Sequence, residues 1–232
     1  MTRVSNDIDS YNITAQVGSG EYSNVYKAER NYETYAIKVI DIDLYKFPIE
    51  TFEQETSILQ HLEGDDRYIQ YVTHWIDTDE DENLTGYIVT EYFDGKHITD
   101  IEFLYSYLIP LFTSLIDAII NLHDLGIEHN DIRGDNILYA NGIYRIIDFG
   151  LASINGAKNT FQKHREHEFG EFDKSNLADL METIHRKTFN TYYSGSDEDV
   201  KIDSIINNAI NSLRDDESTL DDVKEYLEQN VS

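Results

Sequence analysis

The hydrophobic pattern of this 232-residue chain changes character near residue 94, and this change limits the fold more than any other feature. Before that point, short apolar runs with alternating polarity predict β-strands. Beyond it, apolar residues recur at helical spacing and predict helices. A strand-rich part followed by a helix-rich part indicates an α+β fold with two lobes and a ligand cleft between them.

The first part is predicted to hold five strands and one helix. The strands are predicted at residues 13–17, 25–28, 35–40, 68–76 and 87–89. The helix, at residues 49–62, follows Pro48, a residue common in the first turn of a helix.

The second part is predicted to be mainly helical. Its helices are predicted at residues 105–125, 175–185, 198–213 and 220–229. Two short strands are predicted at residues 137–139 and 144–147. Thr219 and Asp222 have the spacing of a capping box at the start of the last helix. We therefore expect a single domain over residues 1–232, with lobes at about 11–91 and 96–230 joined by a hinge at about 91–95.

Composition limits the partners and the compartment. The chain has 45 Asp and Glu against 18 Lys and Arg, for a formal net charge of -27. Such a surface repels polyanions, so we expect neither nucleic acid nor an anionic membrane as a partner, whereas a basic protein partner is accommodated. A role of the charge in solubility alone stays open.

The absence of cysteine excludes disulfides and thiolate metal sites. The N-terminus lacks the apolar core of a signal peptide, and no apolar run approaches the ~18 residues needed to span a bilayer, so we expect no membrane insertion. We expect a cytoplasmic protein, or one in a host cell's cytoplasm if the chain is viral or a secreted effector.

A glycine-rich motif joins the first two predicted strands. It includes Gly18, Ser19, Gly20, Ser23 and Val25. Glycines at such a turn let backbone N–H groups approach phosphate oxygens that a Cβ would block. An ordinary hairpin turn is the alternative interpretation.

Lys38 lies inside an apolar strand, directly after Ala36 and Ile37. An unpaired ammonium is costly to bury, so Lys38 requires an anion. Glu55 on the following helix is the natural partner, and the pair could hold the α- and β-phosphates of a nucleotide. A lysine at a strand edge that reaches solvent is the alternative.

The strongest signal is the run HNDIRGDNIL at residues 129–138, followed by IDFG at residues 147–150. Phosphoryl transfer requires a carboxylate that orients the attacking hydroxyl, and oxygen ligands for Mg²⁺. Asp131 can take the first role, and Asn136 and Asp148 the second. Arg133 could neutralise charge on the γ-phosphoryl group. Surface turns remain possible for either run, because Asp, Asn and Gly form turns.

These motifs, in this order and spacing, resemble those of the eukaryotic-type protein kinases over about residues 11–150. GSGEYSNV is similar to the glycine-rich loop, AIK to the third-strand lysine motif, and HNDIRGDN to the catalytic loop HRDLKxxN, while DFG is unchanged. The resemblance implies a bilobal kinase fold with a five-stranded antiparallel N-lobe carrying one helix and a mainly helical C-lobe. It also implies ATP and Mg²⁺ as cofactors and a protein as substrate.

The same resemblance implies the roles of single residues. Asp131 would be the catalytic base, Lys38 would pair with Glu55, and Asn136 and Asp148 would hold Mg²⁺. The backbone of Glu91 to Phe93 would receive the adenine. The remaining side chains of the nucleotide site would be Val25, Ala36, Thr90 and Leu138.

Several positions depart from the family pattern. Ser23 replaces the third glycine of the loop, a change that many active kinases tolerate. Asn130 replaces the arginine that usually grips a phosphorylated activation loop, so we expect constitutive activity. Arg133 replaces the lysine usual in serine/threonine kinases, and some tyrosine kinases carry arginine at that place. We expect Ser/Thr more than Tyr as acceptor on family frequency alone. No Ala-Pro-Glu motif follows, which indicates an abridged C-lobe, and Asp173 would brace the catalytic loop.

Two other functions remain as alternatives to a protein kinase. A small-molecule kinase of the aminoglycoside or choline kinase type shares the HxDxxxxN pattern and displays no peptide platform. A kinase-like binding scaffold would act by docking a partner. The intact Lys38, Asp131, Asn136 and Asp148 favour an enzyme over a scaffold.

Overall fold

The computed structural model describes residues 8–20, 22–43, 47–157 and 168–230. The described residues divide into two compact units. The first comprises those up to Asp94 together with Arg145–Gly150, and the second comprises the remainder from Gly95 onward. Glu21 of the glycine-rich motif and residues 158–167, in the segment after Asp148, lie outside the described residues.

The first unit contains a five-stranded antiparallel sheet and one helix, which confirms the prediction. The strand order is β1-β2-β3-β5-β4, and every neighbouring pair is antiparallel. The elements are β1 (Asn12–Ser19), β2 (Ser23–Arg30), β3 (Glu33–Ile42), α1 (Ile49–His61), β4 (Tyr71–Thr78) and β5 (Leu84–Glu91).

The alternation of β3 sends its side chains to two different environments. Ile37 is fully buried and belongs to a core cluster with Tyr11, Ala28, Trp75 and Val89. Lys38, the next residue, points to the opposite face, because successive strand residues alternate. The sequence pattern of the third strand therefore fixes which face carries the charged site.

The second unit is mainly helical, as predicted, with short strands around its loops. Its helices are α2 (Tyr105–Asp124), α3 (Glu171–Tyr192), α4 (Asp197–Leu213) and α5 (Leu220–Gln229). Its short strands are β6 (Lys96–His97), β7 (Ile127–Glu128), β8 (Ile137–Ala140), β9 (Ile143–Ile146), whose end belongs to the first unit, and β10 (Ser153–Ile154). α5 begins with the predicted capping box, in which Thr219 and Asp222 bond reciprocally.

α2 is the central helix of the second unit. By length and composition alone it could cross a bilayer, contrary to the expectation from the sequence, and half of its most apolar window is buried within the protein. Buried core helices pass the same test, so this finding is weak support for a membrane span. α2 packs against α3, α4 and α5.

Most boundaries of the strands and helices differ from the prediction by a few residues, and α3 ends at Tyr192 rather than at residue 185. α3 begins at Glu171 rather than at residue 175, because its first turn buries Asp173, a charged residue that gives no apolar signal. β4 begins at Tyr71 rather than at residue 68. Tyr68 is fully buried and forms only an isolated bridge, to Ile146.

Candidate active site

Lys38 joins two carboxylates within the first unit. Its Nζ lies 2.7 Å from Glu55 Oε1 and 2.8 Å from Asp148 Oδ1. Lys38 comes from β3 and Glu55 from α1, while Asp148 follows β9 with a left-handed φ of 62°. The predicted pair between Lys38 and Glu55 is therefore present, with Asp148 as a second partner.

Burial and charge act against each other in this cluster. The Glu55 side chain is only 3% exposed, whereas that of Asp148 is 48% exposed. Burial alone would lower the pKa of Lys38, but the Asp148 and Glu55 carboxylates raise it well above its ordinary value. Burial raises the pKa of Glu55, and Lys38 opposes this change. Lys38 is thus held as a cation between a buried anion and a half-exposed one.

Gly150 leaves the room that these charged atoms need. A Cβ at this position would lie 3.1 Å from Asp148 Oδ1, 3.2 Å from Lys38 Nζ and 3.4 Å from Glu55 Oε2. The Gly150 N–H also donates to Asp148 Oδ1 over 3.2 Å. The glycine of the DFG run therefore has a steric reason in this chain.

The predicted nucleotide-binding side chains of the sheet share the face of Lys38. Val25 on β2 lies opposite Lys38, and Thr90 on β5 lies opposite Ala36. Cross-strand partners project to the same side, and so do residues two apart along a strand. Val25, Ala36, Lys38 and Thr90 therefore form one continuous patch on the sheet.

The glycine-rich motif forms a tight hairpin between β1 and β2. Ser19 pairs with Asn24, and the Gly20 N–H donates to the Ser23 carbonyl over 2.8 Å. A Cβ at Gly18 or Gly20 would meet no described atom closer than 3.4 Å. Contacts among the described residues therefore do not require these glycines.

Arg145 holds the predicted hinge, a contact that sequence reasoning missed. Its Nε donates to Glu91 Oε1 over 3.0 Å, and its guanidinium carbon lies 5.2 Å from the centre of the Phe93 ring. A second nitrogen donates to the Asp66 carbonyl. Only 11% of the Arg145 side chain is exposed. The position of Arg145 within an apolar strand was the signal that could have indicated a nearby carboxylate partner.

We expect Arg145→Met to weaken ATP binding about tenfold and to lower the free energy of unfolding by about 1–3 kcal/mol, because Glu91 loses a charged donor. Calorimetric ATP titration and thermal unfolding measure the two effects. Arg67→Met is the matched control, since Arg67 pairs with Asp65 in the same unit. An equal loss of ATP affinity in both variants would rule out a specific role of Arg145 at the hinge.

Asp131 and Asn136 meet in the second unit. Asn136 Nδ2 donates to Asp131 Oδ2 over 2.7 Å and to the Asp131 carbonyl over 3.0 Å. Asn136 is buried in a short 3-10 helix that spans Gly134–Asn136. The predicted metal ligands are divided between the units, with Asp148 in the first and Asn136 in the second. Their joint use of one ion stays a prediction.

Asp173 braces the catalytic loop, as predicted. Its carboxylate is fully buried and accepts the backbone N–H groups of His129 over 2.8 Å and Asn130 over 2.6 Å. His123 Nε2 lies 3.0 Å from the same carboxylate. Asn130 has a left-handed φ of 65°. Helix α3 therefore fixes the loop at the two residues that precede Asp131.

The remaining predicted residues also lie in the second unit. Arg133 forms an ion pair with Asp135, and both side chains are more than half exposed. Its predicted role at the γ-phosphoryl group stays a prediction. Leu138 lies on β8, opposite His97 of β6.

Two cavities in the second unit differ in their relation to these residues. The larger one, about 810 Å³, is lined by residues such as His123, Phe169 and Leu220 and by none of the predicted site residues. The smaller one, about 450 Å³, is lined by Asp131 and Arg133 together with Thr183 of α3. The chemistry of the lining, rather than the volume, identifies the smaller cavity as part of the candidate site.

Gly134 contacts Thr99 so closely that no side chain fits. A Cβ on Gly134 would lie 2.4 Å from Thr99 Cγ2. We expect Gly134→Ala to lower kcat about 100-fold, because displacing the turn by about 1 Å misplaces Asp131 and Asn136. Thr99→Ala removes the two closest atoms, so the double variant should recover most of the activity. A fully active Gly134→Ala variant would contradict this expectation.

Comparisons with known proteins agree with these motifs. The family model described as "Protein kinase domain" matches residues 11–169. The relatives include serine/threonine-protein kinase ppk11 of Schizosaccharomyces pombe, 28% identical over 144 residues, which are 59% of this chain and 44% of that protein. They also include cyclin-dependent kinase 12 of Caenorhabditis elegans, 32% identical over 64% of this chain and 22% of that protein.

A third relative is serine/threonine-protein kinase cds1 of Schizosaccharomyces pombe, 31% identical over 65% of this chain and 35% of that protein. The chain spans less than half the length of each of these three relatives. The match to the family model covers more than half of this chain, in the region that carries all four motifs. The chain therefore belongs to the protein kinase family.

Proposed function

We propose that this protein transfers the γ-phosphoryl group of ATP to a Ser or Thr hydroxyl of a protein, with Tyr as a less favoured acceptor. The observation that carries the proposal is the cluster of Lys38, Glu55 and Asp148. A buried ion pair of this kind is weak support for stability alone, because removing charges from water is costly. A cluster that presents one cation and one half-exposed carboxylate is well suited to a phosphate and its metal ion.

In the proposed reaction, Asp131, Asn136 and Lys38 each have an assigned role. The acceptor oxygen attacks the γ-phosphorus, the bond from that phosphorus to the β-γ bridging oxygen breaks, and ADP leaves with the electron pair. The proton of the acceptor hydroxyl goes to the Asp131 carboxylate. Asn136 fixes the orientation of that carboxylate through its amide. Lys38 orients the α- and β-phosphates.

The glycine-rich hairpin supports a nucleotide on separate grounds. Gly18 and Gly20 are not required by contacts among the described residues. Close approach of backbone N–H groups to phosphate oxygens is a reason for glycine that does not depend on packing within the chain. We therefore propose that this hairpin covers the phosphates of ATP.

Asn136 and Asp148 fit Mg²⁺ in the chemistry of their donor atoms. Magnesium prefers oxygen ligands and is held by few protein groups together with phosphates. The amide nitrogen of Asn136 is used by Asp131, so its oxygen remains as the ligand atom. Asp148 offers a half-exposed carboxylate. When bound, the ion would neutralise charge on the phosphates.

The class of acceptor is inferred from relatives and charge. Two of the relatives above are named serine/threonine-protein kinases. The net charge of -27 favours a basic acceptor over an acidic one. We propose a basic protein as the preferred substrate.

An acceptor panel tests the proposal. The native chain is incubated with γ-labelled ATP and Mg²⁺ in four arms: a basic protein, an acidic protein, a mixture of aminoglycosides and choline, and no acceptor. We expect label on Ser or Thr of the basic protein, found by phosphoamino acid analysis. Label on the small molecules alone would favour a small-molecule kinase. ATP binding without transfer in any arm would favour a binding scaffold.

A further inference from the structure

We propose that Glu128 is a positioning residue that fastens both sides of the segment between Leu151 and Gly170 to the catalytic loop, without a phosphorylated residue. The proposal rests on the kinase activity proposed above. The proposal is based on a buried network formed by Glu128, Asn130, Ser153 and Gly170, which we call the Glu128 cluster.

The Glu128 carboxylate accepts one donor from each side of residues 158–167. Ser153 Oγ donates to Glu128 Oε2 over 2.9 Å, and the Gly170 N–H donates to Glu128 Oε1 over 2.8 Å. Glu128 is 7% exposed and Ser153 is 1% exposed. One side chain of β7 thus contacts two points that are distant in the sequence.

Asn130 extends this network from the other side. Its Nδ2 lies 3.3 Å from Ser153 Oγ, 3.2 Å from the Glu128 carbonyl and 3.4 Å from the Leu151 carbonyl. An amide nitrogen has two hydrogens, so these three acceptors share them. Ser153 accepts from Asn130 and donates to Glu128, which makes a directed chain of hydrogen bonds.

Backbone pairing supports the same contact. β10 pairs with β7 so that Ser153 lies opposite Glu128 and Ile154 lies opposite Ile127. The Asn155 N–H donates to the Gly126 carbonyl over 2.8 Å. The start of the segment is therefore attached along three consecutive residues, and Glu128 adds the attachment at Gly170.

The network places a buried carboxylate beside two neutral donors, the Ser153 hydroxyl and the Gly170 N–H. A buried carboxylate loses hydration, so each donor that it gains is worth more than on the surface. Gly170 has a left-handed φ of 80° and immediately precedes α3. α3 carries Asp173, which braces His129 and Asn130. Glu128 therefore links the segment to the same helix that fixes Asp131.

This linkage accounts for the replacement of the usual arginine by Asn130. An arginine at position 130 would bring a cation, which a phosphate on the segment could pair with. Asn130 and Glu128 attach the segment through neutral donors that are part of the chain. The activity is therefore expected not to depend on phosphorylation of the segment.

The test measures kcat, the KM for ATP and tryptic cleavage. We expect Glu128→Ala to lower kcat at least ~10-fold with the KM for ATP changed less than ~2-fold, because the loss leaves buried donors unsatisfied. Glu128→Gln should recover most of kcat, since its amide oxygen still accepts from Gly170. Ser153→Ala should fall between the two.

The rate of tryptic cleavage measures how firmly the Glu128 cluster attaches the segment, and it does not depend on kinase activity. Trypsin can cut after Lys158, Lys163 and Arg165. Glu128→Ala and Ser153→Ala should raise the rate of cutting there at least ~10-fold, because the attachments on both sides weaken. Ser114→Ala is the matched control, since it removes a hydroxyl bonded to Tyr144 in the same unit and should leave the rate unchanged.

Three results would overturn the proposal. The first is an unchanged rate of cleavage in both Glu128→Ala and Ser153→Ala. The second is a KM for ATP that rises in Glu128→Ala by as much as kcat falls. The third is a loss of activity of at least ~10-fold when the native chain is treated with phosphatase. If the native chain phosphorylates no protein, the proposed function fails. The cleavage result still decides whether Glu128 fastens the segment.

Discussion

Asp131→Asn is expected to lower kcat for transfer to a protein hydroxyl by about 10²- to 10⁴-fold, the usual contribution of a positioned general base. The variant keeps the size of the side chain and removes its negative charge. Asn136 donates to Asp131 Oδ2 over 2.7 Å, and Asp173 fixes the preceding backbone, so the loop should stay in place. ATP affinity should change little, because Asp131 acts on the acceptor.

Asp124→Asn is the matched control for this variant. Asp124 is an exposed aspartate at the end of α2 and lies outside the proposed catalytic groups. We expect native kcat and native ATP affinity for the control. Native kcat in Asp131→Asn, measured by steady-state transfer from labelled ATP, would remove Asp131 from the mechanism.

Lys38→Met is expected to lower kcat about 100-fold or more, because a charged group that positions the phosphates is lost. The structure adds a cost in stability that the sequence did not indicate. Glu55 Oε2 has no hydrogen-bond partner among the described residues, and Lys38 is bonded to its other oxygen. Breaking a buried pair from one side costs about 3–5 kcal/mol.

The stability loss of Lys38→Met should depend on pH. Burial raises the pKa of Glu55 in the native chain, and removing the cation raises it further. In acid, below the ordinary pKa of a glutamate, the carboxyl is protonated in the folded and the unfolded chain, so the loss is small. As pH rises towards the folded pKa, only the unfolded chain ionises, and the loss grows before it levels off.

The Lys38→Met/Glu55→Gln double variant separates stability from catalysis. It removes the buried carboxylate, so thermal unfolding should return towards the native midpoint and lose its extra dependence on pH. Transfer should remain as slow as in Lys38→Met. Recovery of transfer together with stability would show that Lys38 acts only through folding.

The contact between Lys38 and Glu55 was predictable from the sequence, because an ammonium within an apolar strand requires an anion nearby. The same reasoning applies to Glu128 before the HND run and to Arg145 before DFG. Both are charged residues beside apolar residues in short strands. Glu128 is buried, only 11% of the Arg145 side chain is exposed, and each has specific partners. Applied evenly, the rule would have indicated these two residues as well.

Other parts of the site depend on contacts that no local pattern encodes. Gly134 and Thr99 are distant in the sequence, and only the tertiary fold brings them into contact. The first turn of α3 was missed because Asp173 is buried as an acceptor of backbone N–H groups rather than as an apolar residue. Periodicity detects apolar faces and gives no signal for a buried polar brace.

The most direct test asks whether residues of both units serve one reaction. Labelling of a basic protein from γ-labelled ATP is measured for the native chain, Asp131→Asn and the Lys38→Met/Glu55→Gln double variant, each first shown to be folded. We expect Mg²⁺-dependent label with the native chain and almost none with either variant. Native rates in either variant, or no label from the native chain, would contradict a shared catalytic role.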